Sequence, residues 1–458
     1  MNETEQIETL KALTEVAKER EQPKRRASLA SVRVSPGSYM AAASVLTFCS
    51  ALLLRSERDL LALAVIGAAW LLIPLLAFTD RIEFDGSFLR RRGPGPLLLR
   101  IVWGREKYLN VADFESVNTH ALRTLRRGGR VRYRYRTQIV GKGTEFIFAS
   151  GGKRYRKMVQ HLFPLIHHAK LDLRTLELRD YLCDPSTLND EVSTLHLASA
   201  DVIDNATFDF KLGGKKPPAE QEISEAVSEE YLDRATLLGA LGNKLRIAGR
   251  LNEAREAFRR ALIVIPRDGR LIFDFARLLR SQASSLSDAK LLMRSRAALR
   301  LSAMRAGDQP DLLALVGESF LEWGETGRAQ SSFQKAIDLD PANFRSRMGL
   351  ANLALREGKL AHVIHHYRDA ARAATEKALA NYARREADYY ARLNDDDDYL
   401  ASELRRINWL QHSLRVRRMA ARVTNAGILV ALVGSYVDSA LAGISWSLAS
   451  SSLLAWIS

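Results

Sequence analysis

Two long apolar stretches, Ser38–Leu54 and Leu60–Phe78, constrain this 458-residue chain more than any other feature. Each is long enough to cross a ~30 Å hydrocarbon core as a helix, which takes roughly 17–25 residues. The link Arg55-Ser56-Glu57-Arg58-Asp59 leaves room only for a sharp reversal between them. A third apolar stretch runs from about Ala426 to Ser458. The sequence therefore predicts a transmembrane helical hairpin over 38–78, a large polar middle, and a C-terminal membrane segment over 426–458.

Lys and Arg near span ends set orientation. Lys24, Arg25, Arg26 and Arg33 precede the first span, and Arg81, Arg90, Arg91 and Arg92 follow the second. The link offers only Arg55 and Arg58, offset by Glu57 and Asp59. Arg405, Arg406, Arg415, Arg417, Arg418 and Arg422 precede the last apolar stretch. Both ends of the hairpin, and the polar middle, are expected on the cytoplasmic side of a cell inner membrane. The charged leader over 1–37 and the return crossing argue against a cleaved export signal. The last stretch reads most simply as one span with a short tail. The alternative is a hairpin of Ala426–Val437 and Leu441–Ile457 with Asp438 in its turn.

The net charge of +15 and sequence pI near 9.8 would suit nucleic acid. Here, however, the basic residues flank the spans. Attraction to anionic lipid, about 1 kcal/mol per basic residue near the surface, explains them, and no nucleic-acid partner is expected. The two cysteines, Cys49 in a span and Cys183 outside, form no disulfide framework and fit a reducing compartment. The Ala-, Leu- and Arg-heavy usage resembles bacterial chains.

Residues 81–170 read as short strands closed by a helix. Ile82–Phe84 and Phe88–Arg91 flank Asp85-Gly86, a hairpin signal. Leu97–Trp103 and Phe114–Asn118 are further candidate strands. In Arg130–Arg136 arginine alternates strictly with Val131, Tyr133 and Tyr135, which places Arg130, Arg132, Arg134 and Arg136 on one strand face. Glu145–Phe148 pairs with it across Gly141-Lys142-Gly143. Tyr155, Met158, Val159, Leu162, Phe163 and Ile166 then line one side of a helix whose last turn Pro164 shortens. An antiparallel sheet closed by one helix resembles the pleckstrin-homology-like fold. A two-span hairpin leading into it, over 38–170, resembles bacterial membrane proteins carrying that module. That fold does not by itself imply lipid recognition; the arginine face, through its own chemistry, is a candidate site for the phosphate headgroups of anionic lipid, held by bidentate hydrogen bonds.

Residues 171–228 read as a linker, with a breaker at Gly213–Pro218 and the acidic run Glu220–Glu230 after it. Beyond it, Leu238, Gly242, Leu245, Gly249, Ala254, Phe258, Ala261 and Pro266 recur as Leu313, Gly317, Phe320, Gly324, Ala329, Phe333, Ala336 and Pro341 at identical spacing. Leu350, Ala351, Ala354, Gly358, Tyr367 and Ala370 recur one further period on. A divergent copy with Ile272, Phe275, Ala276, Leu279, Ala289 and Met293 lies between and carries extra residues before Pro310. This period of ~34 residues resembles tetratricopeptide repeats, over 231–376. Small residues let paired helices approach, aromatic rings fill the gap, and proline ends the second helix. Residues 377–423 are expected to supply a capping helix, a break at Asn394–Asp398, and a basic helix entering the last span.

The resemblance implies a solenoid whose inner helices line a groove for a protein partner. Positions facing it are Asn243 and Arg246, then Asp311, Ala314, Glu318 and Leu321, then Arg345, Met348, Asn352 and Arg356. The subtype that clamps chaperone C-termini needs a lysine where Gly239 stands, and Asp311 and Glu318 depart from it further. No catalytic or metal motif is present. His167-His168 and His365-His366 are adjacent pairs, and Asp395–Asp398 lacks the alternation of a calcium loop.

The chain is thus expected to be a multi-domain membrane protein with a transmembrane hairpin, a small pleckstrin-homology-like antiparallel sheet plus helix, an all-α tetratricopeptide solenoid and a C-terminal transmembrane helix. Its expected role is that of a non-enzymatic scaffold without cofactor, recruiting a protein partner at the membrane. Two alternatives stay open. One is a structural subunit of a transport or envelope-assembly complex, packing against other membrane subunits; the other is an anionic-lipid sensor acting through the arginine face.

Overall fold

The computed structural model describes residues 28–34, 37–97, 107–125, 131–149, 152–197, 229–437 and 439–457. The sheet module begins earlier in the chain than the sequence suggested. Strand β1 (Ala30–Arg33) pairs antiparallel with β2 (Arg81–Phe84), from Ala30 opposite Phe84 to Arg33 opposite Arg81. The segment read as a leader therefore contributes a strand, because Ala30 and Val32 alternate with polar neighbours and are buried. The two apolar helices, α1 (Gly37–Arg55) and α2 (Asp59–Thr79), are an insertion between these neighbouring strands.

β3 (Phe88–Arg92) continues the sheet through a turn at Asp85-Gly86. The Asp85 carboxylate accepts hydrogen bonds from the backbone N–H of Ser87 (3.0 Å) and Phe88 (2.7 Å), and Gly86 supplies the positive φ. β4 (Tyr108–Asn110) completes the four-stranded order β1-β2-β3-β4. Of the candidate strand Leu97–Trp103, Leu97 ends a short helical turn from Pro94, and the rest lies outside the described residues. A separate three-stranded sheet, β5-β6-β7, is formed by Ser116–Leu125, Val131–Gly141 and Thr144–Ala149. Lys142 and Gly143 both have positive φ, the geometry of a two-residue hairpin turn. Helix α3 (Lys153–Leu162) presents Tyr155, Met158, Val159 and Leu162 to a core holding Phe84, Leu89, Phe114 and Phe148, all fully buried. Pro164 lies in the 3-10 turn that follows α3.

The segment read as a linker carries two helices, α4 (Leu173–Tyr181) and α5 (Pro185–Thr194). Their polar composition hides them from a periodicity search, but each has a start signal. Asp172 accepts from the Thr175 N–H at 3.0 Å, and Pro185 occupies the first turn of α5. Asp172 also accepts from the Thr119 N–H (3.2 Å) and belongs to a buried hydroxyl chain. Thr175 donates to Thr119 (2.8 Å), Thr119 lies 3.2 Å from Thr137, and Thr137 lies 2.8 Å from the Tyr155 hydroxyl. This chain ties α4, two strands and α3 together. Burial pushes the Asp172 carboxyl above the usual range, although these donors partly offset it.

In the apolar pair, the Ser50 hydroxyl donates to the Ala62 carbonyl at 2.8 Å. A π-turn at Ala68–Leu72, where the Ile73 N–H bonds back to the Ala68 carbonyl, precedes Pro74, whose missing N–H disrupts the ladder there. Among the described residues, one helix, Asp59–Thr79, is long and apolar enough to cross a membrane, with a mean hydropathy of 2.5. Its Leu60, Trp70 and Leu71 side chains point outward.

The polar middle is a helical-repeat fold resembling tetratricopeptide repeats. Its helix pairs are α6/α7 (Glu229–Ala248, Leu251–Val264), α8/α9 (Gly269–Leu286, Ala289–Arg305), α10/α11 (Pro310–Glu322, Thr326–Leu339) and α12/α13 (Phe344–Arg356, Leu360–Ala373). A Cβ built on Gly242 would stand 2.7 Å from the Phe258 ring, and one on Gly317 would stand 2.6 Å from Phe333. The small residue is required because the partner ring fills that space. The longer α8 and α9 account for the extra residues of the divergent copy. At the array's start α5 packs on α6, where Lys244 Nζ meets Glu191 Oε1 at 2.6 Å.

Helix α14 (Lys377–Asp395) follows the array, and α15 (Asp397–Val437) begins with Asp396 accepting from the Tyr399 N–H at 2.9 Å. The C-terminal stretch is two helices, as in the hairpin alternative rather than the simpler single-helix reading: α16 (Ser439–Ile457) folds back along α15. Small residues permit this. A Cβ on Gly427 would approach Ala449 Cβ at 3.0 Å, and the Thr424 and Ser452 hydroxyls lie 2.9 Å apart. Asp438 lies between the two helices and outside the described residues.

Candidate protein-interaction site

The inner helices α6, α10 and α12 carry the polar positions singled out from the sequence, and most of those side chains bind each other or groups on the neighbouring inner helix. Asn243, only 1% exposed, donates through Nδ2 to Asp274 Oδ2 at 2.9 Å and accepts from Arg246 Nη2 at 3.1 Å. Asp274 also faces Arg270 at 3.6 Å. The next interface is bridged by Arg277, whose Nη1 donates to the Ser319 hydroxyl at 3.3 Å. Between α10 and α12, Arg345 Nη1 meets Glu318 Oε2 at 2.6 Å, and Asn343 Nδ2 donates to Asp311 Oδ1 at 3.2 Å. Arg356 Nη1 reaches the Leu321 carbonyl at 2.9 Å.

These contacts form a ladder of polar clamps, one at each junction between successive inner helices. Buried polar groups are kept only when hydrogen-bonded, and the ladder satisfies that need. Asn243, Arg246 and Arg345, expected from the repeat pattern to face the groove, are buried among these inter-repeat contacts. Ala314 and Leu321 are buried as well, whereas Glu318 and Met348 are half-buried. Asp311 and Glu322 on α10 and Asn352, Leu355 and Arg356 on α12 are exposed. The exposed charges are acidic on α10 and basic on α12, where Leu355 is 38% exposed beside Arg356.

Sequence reasoning missed Asp274, Arg277 and Asn343, which complete the ladder. They sit in the divergent copy or just before an inner helix, where the repeat pattern supplies no groove position. The Arg270–Asp274 spacing of one helical turn was the available signal.

On β6, Arg132, Arg134 and Arg136 are exposed on one face, while Tyr133 and Tyr135 are half-buried on the other. Tyr135 stacks on Tyr155 with ring centroids 6.4 Å apart. Arg130 lies outside the described residues. On α13 a third imidazole, His362, stands one turn before His366, with ring centroids 6.4 Å apart, and His365 lies 5.4 Å from His366. Burial, together with repulsion from His365, His362 and Arg347, holds His366 below the usual histidine range. Among the described residues no cluster of three His, Cys, Asp or Glu side chains is placed to hold a metal.

No family model matches this sequence, and no curated protein matches it. Among solved structures, the chain is similar to one in the crystal structure of the APC/C hetero-tetramer Cut9-Hcn1, at 16% identity and a TM-score of 0.28. The match covers 62% of this chain and 49% of the other, about half its length. At that TM-score the likeness carries no argument, and the repeat character rests on the helix pairs themselves.

Proposed function

We propose that this protein is a membrane-tethered scaffold that recruits a protein partner through the open inner face of its repeat array. The observation that carries the reading is continuity: α15 runs without a break from beside the array into the helical hairpin that ends the chain. At 1.5 Å per residue such a helix extends the array from the bilayer on a semi-rigid stem. The α1/α2 pair and the α15/α16 pair are the two anchors of this reading, in a bacterial inner membrane with the array on the cytoplasmic side. The role is binding, without catalysis or cofactor. Two anchors confine the array near the bilayer, so a weak groove affinity is amplified by effective concentration. The four-plus-three strands and closing helix support a pleckstrin-homology-like module lying against anionic lipid.

Asn352→Ala combined with Arg356→Glu, in the full-length protein, tests the groove. Partner recovery in mild detergent is expected to fall roughly tenfold or more, as for loss of an interface hot spot, while membrane fractionation and helix content stay unchanged. Equal recovery from variant and parent would contradict the groove assignment.

A further inference from the structure

The strand register brings together three arginines that are far apart in sequence. Arg33 of β1 lies directly opposite Arg81 of β2, and Arg81 lies directly opposite Arg92 of β3. Residues directly opposite in antiparallel strands share a face, with Cβ atoms about 4.5–5.5 Å apart. The three therefore form a row across the outer face, since the core-facing positions here are Val32, Ile82 and Leu89. Like charges in that relation repel and weaken a sheet. Glu83 contacts one end of the row, with Oε2 3.3 Å from Arg92 Nη1, and the Arg92 side chain remains 76% exposed. At the centre, Arg81 Nε is buried without a hydrogen-bond partner.

The row also has a fixed covalent address. Arg33 stands just before α1, and Arg81 stands two positions after Thr79, the last residue of α2. Arg92 joins them through the β2–β3 pairing alone. Arg33 and Arg81 thus stand within a few residues of the two apolar helices along the chain, close to the lipid phosphates if those helices enter a bilayer.

We propose that Arg33, Arg81 and Arg92 form a binding row for the phosphate groups of anionic phospholipids, distinct from the arginine face of β6. The inference rests on the membrane reading above. Guanidinium forks take phosphate oxygens in pairs, and a phosphate between adjacent forks converts the repulsion along the row into attraction. The row acts as a collar that sets the height of the sheet against the headgroups.

The test uses full-length protein in neutral detergent, with thermal unfolding and native mass spectrometry followed as phosphatidylglycerol, phosphatidylcholine or inorganic phosphate is added. Phosphatidylglycerol is expected to stabilise the parent and remain bound, phosphatidylcholine to do neither, and added salt to weaken the effect. Arg81→Gln, and Arg33→Gln with Arg92→Gln, are each expected to weaken phosphatidylglycerol binding roughly tenfold. Arg81→Lys, which keeps the charge but not the fork and guards against a folding defect, is expected to fall between parent and Arg81→Gln. Arg132→Gln/Arg134→Gln/Arg136→Gln is expected to bind as the parent does. The proposal is overturned if the row variants bind phosphatidylglycerol unchanged, or if only the β6 variant loses it. Equal protection by inorganic phosphate would overturn the lipid assignment and leave a free-phosphate site. Recovery of the parent from the soluble fraction without detergent would instead defeat the membrane reading, independently of the row.

Discussion

Phe333→Ala is expected to destabilise the middle of the array by about 3–5 kcal/mol, the range for truncating a buried phenylalanine. Phe333 is fully buried on α11, and glycines from two other helices leave the space for its ring. A Cβ on Gly317 of α10 would come within 2.6 Å of it, and one on Gly349 of α12 within 2.4 Å. The ring therefore locks three consecutive helices, and its loss opens a cavity that none of their backbones can fill alone. Stacked repeats communicate through nearest neighbours, so the damage is local. Hydrogen exchange on the full-length protein is expected to show α10–α12 losing roughly two to four orders of magnitude of protection, at about 1.4 kcal/mol per tenfold. Gly349→Ala gives an independent check by overfilling the same space, at about 1–3 kcal/mol. Unchanged protection in Phe333→Ala would contradict this packing account.

Arg91→Ala is the second large effect, in the sheet. Asp80, the residue joining α2 to β2, is fully buried, and its carboxylate is held by the Arg91 guanidinium, with Nε 2.9 Å from Oδ2 and 3.2 Å from Oδ1 and Nη2 on Oδ2 as well. Removing one partner of a buried ion pair costs about 3–5 kcal/mol. The Arg91 side chain is a quarter exposed, so the lower end of that range applies. Replacing both partners, as in Asp80→Asn with Arg91→Met, is expected to cost less than Arg91→Ala alone, because no buried carboxylate then loses its guanidinium. Protection of the β2 and β3 amides in hydrogen exchange measures the difference. A double variant weaker than the single would overturn the pairing argument.

Much of the array was legible because its constraints are local and repeated. Gly242 with Phe258 and Gly317 with Phe333 are short-range packing rules, and each glycine does lie against its ring. The contact between Gly349 and Phe333 was not legible, since it crosses from one repeat to the next. The same limit explains the groove. Position within a repeat indicates where Asn243 faces but not that Asp274, in a divergent copy, occupies its amide. β1 escaped notice for a different reason: a four-residue strand gains meaning only from its partner, and the whole apolar hairpin separates Arg33 from Arg81. In α4 and α5 the periodicity is weak, and only the cap at Asp172 and the first-turn proline Pro185 mark their starts. At the C-terminus a total of apolar residues suggested one span, whereas the spacing of Gly427 against Ala449 and of Thr424 against Ser452 makes two helices.

The most direct test of the scaffold account is affinity purification of the full-length protein in mild detergent beside a form lacking residues 229–373, with mass spectrometry of what is recovered. The account predicts that both forms fractionate with membranes and that a protein recovered with the full-length chain is lost with the repeats. Retention of the same proteins without the array would contradict it and assign the association to the apolar helices.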